Sequence, residues 1–394
     1  MRRPALVLLA LLASRIAAQD APLRFVLELA APRAAGPIDV VLPITSASAP
    51  AGSPALARLD DDTLVRADVI ARADSGDATL RLRWVARTAM DAGAHALALH
   101  WLPHDAAPCP FAWAGPADAR TLTLHDRAVW TFAARFDLED FDATYKPFHE
   151  LWSPDGATLL TKGLGGTHPH HRGLFVGWNQ TNSGDATHDF WHCREGRHQR
   201  RVDGAESPFP VVADERSSIE WRDADGRAVV RETRTLSAWD AGDDRHVLDL
   251  VVELSGASDR PVALRGDAQH AGCHIRLAHE VEEHQAATRY ERPEGAKAAG
   301  DDVWRDCAWA LVRAQVGDVD AVLLHVTAPR AGAPFVYSTR AYGRVGSFQT
   351  LDLEPGASVV LRYRFVVTTK TVTLDPARIA ADFVAPLRVS PAAH

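Results

Sequence analysis

Three histidines and an arginine stand within five positions, His168, His170, His171 and Arg172, in the stretch GGTHPHHRGLFVGWN. Imidazole titrates near neutrality, so these rings can carry a proton or ligate a metal. A guanidinium fork can hold a carboxylate or the charge that gathers on an oxygen during reaction. In an extended chain His168, His170 and Arg172 share one face while Pro169 and His171 share the other. Pro169 argues against a regular central strand and places the stretch at an edge, a bulge or a loop entering a strand. For each ring, a hydrogen-bonded structural role is the competing reading.

Three further segments carry matching chemistry. VGWNQTNSGDATHDFWHC supplies Asn179, Asp189, Trp191 and His192; tryptophan offers a flat apolar surface to a pyranose, and Asn and Asp can fix hydroxyls. Trp191 reads equally well as core. In GDAQHAGCHIRLAHE, His270, His274 and Arg276 share strand parity, a row that a bulge at Gly272 would break. STRAYGRVGSF sets Arg340, Tyr342 and Arg344 at alternate positions. That row is either a solvated strand face or a clamp for an anionic substrate, with a tyrosine whose proton its cationic neighbours loosen. A divalent metal ion stays open as a cofactor, with His270, His274 or Asp189 completing the ligand set. The HPHH run is nonetheless no metal signature of the HExxH kind, and Arg172 beside it would repel a cation, so no cofactor is assigned.

The bulk properties bound the setting. The opening MRRPALVLLALLASRIAAQD has the basic, apolar and small-residue layout of a cleaved secretory signal over 1–18. Its apolar run is too short to span a bilayer securely, and no second long apolar run follows, so no membrane insertion is expected after cleavage. The formal charge is -8, more negative still once Arg2, Arg3 and Arg15 leave with the signal, which argues against nucleic acid as a partner. Cys109, Cys193, Cys273 and Cys307 form no CxxC pair. In an oxidising compartment they are expected to form up to two bridges, one of them bracing the segment around Cys273.

The elements that must position these residues are strands. Short alternating runs such as DTLVRADVIA, ATLRLRWVA and AHALALHWLP predict a small N-terminal β domain within 19–118. From TLTLHDRAVWTFAARFDL onward, runs separated by turn signals (SPDG at Ser153 to Gly156, Asp225-Gly226) predict a large antiparallel β-sandwich over 119–394. LDPARIAADFVAPL, with Asp375 as cap and Pro376 at the first helical position, predicts a short C-terminal helix over a sheet edge or end. The fold class is therefore mainly β.

The YKPF, THPHHRGLFVGWN and DFW segments, followed far downstream by an R-YG element, resemble the bacterial PmoA-like family, DUF6807. The likeness runs from about Ala143 to Thr369 and carries the family pattern onto Pro147, His168, His170, His171, Arg172, Gly173, Trp191, Arg340, Tyr342 and Gly343. It implies an exported protein, periplasmic or secreted, built as a large β-sandwich related to sugar-active folds. The methane oxygenase label attached to that family does not carry over, since such a subunit needs spanning helices.

Together these readings predict a carbohydrate-active enzyme that cleaves glycosidic bonds in an oligo- or polysaccharide. As a lyase on a uronate-containing glycan, Arg172 or Arg340 neutralises the carboxylate, His170 or His171 removes the adjacent proton, and Tyr342 or another histidine protonates the leaving oxygen. His168, Asn179, Asp189, Trp191, His270, His274, Arg276 and Arg340 line the binding surface. A hydrolase would instead draw two carboxylates from Glu150, Asp185 and Asp189. A noncatalytic glycan-binding protein is the reading of a different class.

Overall fold

A computed structural model describes residues 23–45, 54–59, 64–74, 77–101 and 109–392. The expected signal segment lies outside the described residues. The molecule is mainly β, in antiparallel sheets throughout.

The body is a sandwich of a ten-stranded and an eight-stranded sheet. Alternating residues of both sheets meet between them: Trp130, Val176, Trp178 and Ile275 from one, Trp221, Leu236, Leu250 and Phe365 from the other. Each is essentially without solvent contact, and burial of apolar area on this scale is the dominant force holding two sheets together. Strand Val212–Arg222 shows the logic in its pattern of buried and part-buried positions, one face inward and one toward solvent. Both predicted turns form. Gly226 turns at φ 80° between strands Val212–Arg222 and Ala228–Trp239, and Gly156 at φ 73° closes the SPDG turn through its N–H to the Ser153 carbonyl. A four-stranded sheet, including Gln180–Ser183 and Val262–Arg265, adjoins the sandwich.

The N-terminal β unit is a seven-stranded sheet with its own cluster of Phe25, Leu27, Ile38, Leu82, Trp84 and Leu99. Its edges do not follow the 118/119 division. Strand Phe111–Ala114 already belongs to the ten-stranded sheet, and the last strand, Leu387–Pro391, crosses back to pair with Leu23–Leu29. Helix Pro376–Val384 forms as expected, capped by the Asp375 carboxylate, which accepts from the Arg378 N–H at 3.0 Å. Phe383 is buried and Ile379 packs beside it against Trp309, Leu311 and Val322 of the eight-stranded sheet. No helix among the described residues is long and apolar enough to cross a membrane.

Candidate functional site

The histidine stretch lies over the outer face of the ten-stranded sheet. Strand Leu174–Trp178 pairs with Ala271–Arg276, which pairs in turn with Arg344–Phe348. Alternation sends Val176, Cys273, Ile275 and Val345 into the sandwich core, and so leaves Phe175, His274, Arg276 and Arg344 on the opposite face. The parity expected of His274 and Arg276 therefore holds. Gly346, directly opposite His274 in the register, leaves the space its imidazole fills; a Cβ there would overlap the ring.

The loop before Leu174 is drawn tightly onto this face. His168 sits in the left-handed region at φ 54°, after Gly165 and Gly166 at φ 75° and 64°, a costly conformation for a residue with a side chain. Lys162 holds the loop from below, donating to the carbonyls of His171 at 3.0 Å and His168 at 3.3 Å. Arg172 holds it from the side: Nε donates to Pro169 at 3.1 Å, Nη1 to Ala143 at 2.8 Å and Nη2 to the Asp142 carbonyl. Its guanidinium lies 4.0 Å above the Tyr145 ring.

This anchoring brings the rings into one chain of contacts. Tyr342 meets His168 at a centroid distance of 5.3 Å and stacks on His171 at 6.2 Å. His171 touches His170 at 4.3 Å, His170 meets His192 at 4.5 Å, and His192 meets His270 at 5.5 Å. Trp191 forms the floor, edge-on to His274 at 4.6 Å and to His171 at 5.9 Å. Two of the imidazoles are fixed by carboxylates: His192 Nδ1 lies 2.7 Å from Asp189, and His270 Nδ1 lies 3.0 Å from Asp267. Such a partner sets the tautomer and the orientation of the ring. Beyond His270 opens a groove of about 670 Å³, bordered by Asp267, Gln269, Asp301, Phe348 and Gln349.

The electrostatics keep three of the rings uncharged. Burial, reinforced by Lys146 and His192, lowers His170 to about 2. Burial, with His170, Arg344 and Lys146 adding to it, depresses His171 further, and burial lowers His168 as well. All three are neutral near pH 7, each presenting one donor and one acceptor. Asp189 is the converse case. Burial acts to raise it, but hydrogen bonds from the His192 ring and from the N–H groups of His192 and Trp191 outweigh that and hold it below the usual carboxylate range. Several groups here are buried without a protein partner: both ring nitrogens of His171, Trp191 Nε1, and Nε and Nη1 of Arg276. Arg276 lies 4.5 Å from the Tyr342 ring and donates to Glu282 at 3.1 Å.

Several expectations change on this geometry. Arg172 is buried, with each of its three nitrogens donating to a backbone carbonyl, so it shapes the loop and is enclosed away from a substrate. Arg340 stands apart from the ring chain, tied to Asp301 and Asp302 at 3.1 Å. Trp191 is fully buried and offers no open face to a sugar. His274 is likewise enclosed, with Nε2 toward the Ala271 carbonyl and Nδ1 accepting from Arg344 at 3.2 Å. Asn179 lies beside the second dyad, its amide donating to Asp267 at 3.3 Å. Asp185 is exposed on a turn between strands. The expected bridges are absent: no disulfide links the four cysteines, and Cys273 points into the sandwich core, away from the face that bears His274. Among the described residues no three His, Cys, Asp or Glu side chains are grouped to hold a metal ion.

Three residues that shape this site escaped the sequence reading. Lys146 is buried, donates to the Trp191 carbonyl at 2.6 Å and lies 4.1 Å above the Phe175 ring. Lys162 and Asp267 are the others. The available signal was a lysine flanked by aromatics in YKPF; nothing local distinguishes Lys162 or Asp267 from solvated loop charges.

A family model described as DUF6807, a family of unknown function, matches residues 119–383. No curated protein matches the chain. Among solved structures it is similar to the GH36 α-galactosidases AgaA and AgaB of Geobacillus stearothermophilus. Both have a TM-score of 0.32, at 10% and 9% identity respectively, over 66% of this chain and 40% of theirs. The chain thus spans about two fifths of the length of those enzymes.

Proposed function

We propose, from the premise that this chain belongs to the DUF6807 family, that it is an exported carbohydrate-active enzyme cleaving glycosidic bonds by proton transfer, a lyase acting on uronate-containing glycans. The observation that carries the reading is the continuous run of rings from Tyr342 beside Arg276 to the Asp189-anchored His192. In this reading Tyr342 and His192 are the two proton-transfer groups, with neutral imidazoles between them. The neutral rings of His168 and His170 favour a ligand that both donates and accepts, which is what sugar hydroxyls do. The groove beyond His270 is within the size range of sites for extended ligands.

In this reading Arg276 takes the place expected of Arg172, since two of its nitrogens lack a protein partner. Fully buried beside Tyr342, it acts on the uronate carboxylate at a distance, its charge stabilising the negative charge that gathers there when the neighbouring carbon loses its proton. His192, supported by Asp189, accepts that proton. The C–H pair becomes a carbon–carbon double bond, the C–O bond to the leaving sugar breaks, and Tyr342 protonates the departing oxygen. His168 and His170 hold hydroxyls, and His171 packs beside them. The hydrolase alternative is weaker because Asp189 already accepts three hydrogen bonds, although burial raises Glu150 as an acid would require.

The test is an assay of the mature protein on neutral and uronate-containing polysaccharides, recording reducing ends and ultraviolet absorbance together. Both signals should rise on uronate substrates, and His192→Ala should lower kcat by about 100-fold or more while circular dichroism stays unchanged. Reducing ends without absorbance would replace the lyase by a hydrolase. Binding with no turnover would make the protein a glycan-binding module.

A further inference from the structure

A second cavity lies far from the histidines, where the N-terminal sheet, the eight-stranded sheet and helix Pro376–Val384 meet. It encloses about 280 Å³. Its walls combine apolar groups, Val85, Val247, Val366 and Ile379, with four arginines, Arg33, Arg87, Arg245 and Arg364, against one carboxylate, Asp382.

The charges are unevenly satisfied. Arg364 is bound through two nitrogens to Asp249 at 2.7 and 2.8 Å, and Arg245 likewise to Asp244 at 2.8 and 3.0 Å. Asp382 accepts from the Ala34 N–H at 2.9 Å and from Arg378 at 3.2 Å. Arg33 is 6% exposed; Nη2 donates to the Pro37 carbonyl at 3.0 Å, while Nη1 is buried with no partner. Arg87, exposed at the mouth, makes no ion pair among the described residues. A guanidinium nitrogen enclosed without an acceptor is expensive, and a carboxylate is the ligand its planar fork fits best. Burial and the neighbouring Arg364 lower Arg33 to about 10, with Arg378 adding to that, consistent with a local excess of positive charge. Inorganic phosphate would satisfy the cations but leave the apolar walls against water.

We propose that this seam between the N-terminal sheet and the sandwich binds a small organic carboxylate, its acid group on Arg33 and Arg87 and its apolar body against Val85, Val247, Val366 and Ile379.

The experiment is isothermal titration of the full chain with benzoate, with benzyl alcohol as the uncharged counterpart and inorganic phosphate as the ion without an apolar body. Benzoate should bind once per chain, at least tenfold more tightly than either control, and Arg33→Gln should weaken it tenfold or more. Should Arg33→Gln fail to fold by circular dichroism, the exposed Arg87→Gln decides by the same criterion. No benzoate binding at millimolar concentration, equal affinity for a control, or unchanged affinity in the deciding variant overturns the site. Loss of binding in Arg276→Gln also overturns it, because the probe would then occupy the histidine site.

Discussion

At the scale of single residues, Lys146 gives the site an unusual dependence on pH. Burial lowers its ammonium from 10.5 to about 7, with Arg172 and Lys162 adding to that against the opposing Cys193 and Asp189. Between about pH 7 and 10.5 the unfolded chain holds a proton that the folded chain has released. Stability contributed through this group therefore rises with pH across that window, and below pH 7 the cost of the buried charge is present in full. Thermal melts of the native chain and Lys146→Met at pH 6, 8 and 10 should show the native chain gaining on the variant as pH rises; parallel curves would rule this out. The pattern of histidines was visible in the sequence because HPHHR concentrates unusual residue types. What it could not reveal was direction: Arg172 turns to the loop carbonyls while Arg276, just over a hundred positions on, arrives beside Tyr342.

At the scale of elements, the decisive link is the entry into strand Leu174–Trp178. Gly173 takes φ 38°, and a Cβ there would overlap the carbonyl oxygen of His149 on the neighbouring strand. Gly173→Ala should destabilise the protein by roughly 2 kcal/mol or more and displace the histidine loop, so that turnover falls further than the loss of folded protein explains. Comparing urea unfolding with activity per folded molecule measures both, and an unchanged activity per folded molecule would mean that the loop holds its shape without that glycine. Strand alternation made the faces of His274 and Arg276 legible in advance, and the Asp225-Gly226 turn and the Asp375 cap were equally plain. Asp267 was not, because it lies in a loop where neither spacing nor polarity marks it from other surface acids; Asp189 stood out beside Trp191, but its pairing with the His192 ring did not.

At the scale of the whole molecule, the two β units are joined through polar groups as well as apolar ones. Asp68, in the N-terminal sheet, accepts the N–H groups of Val211 and Val212 at 3.0 and 2.9 Å, and Arg83 pairs with Asp214 at 2.9 Å. Burial raises Asp68 to about 7 despite the opposing Arg83 and the two N–H groups. The folded chain consequently holds a proton there between about pH 4 and 7 that the unfolded chain has lost. The stability this contributes is full below about pH 4 and lost as pH rises through 7. Asp68→Asn, which keeps an acceptor and needs no proton, should remove that fall, and melts at pH 5 and 8 should show the variant gaining on the native chain at the higher pH. The β class and the sandwich were readable from alternation and turns. Long-range pairing was not, since a strand's own residues do not name its partner.

Strand Leu387–Pro391 completes one side of a sheet whose other strands precede residue 102. During synthesis, the earliest sheet must wait with Leu23–Leu29 exposed along one edge until almost all the intervening chain has emerged. An exposed edge is a ready template for pairing with other chains. Order of manufacture and order of assembly are thus opposed in this protein, and its hazard lies in the interval between them, when a half-made molecule displays the strand its own tail has yet to claim.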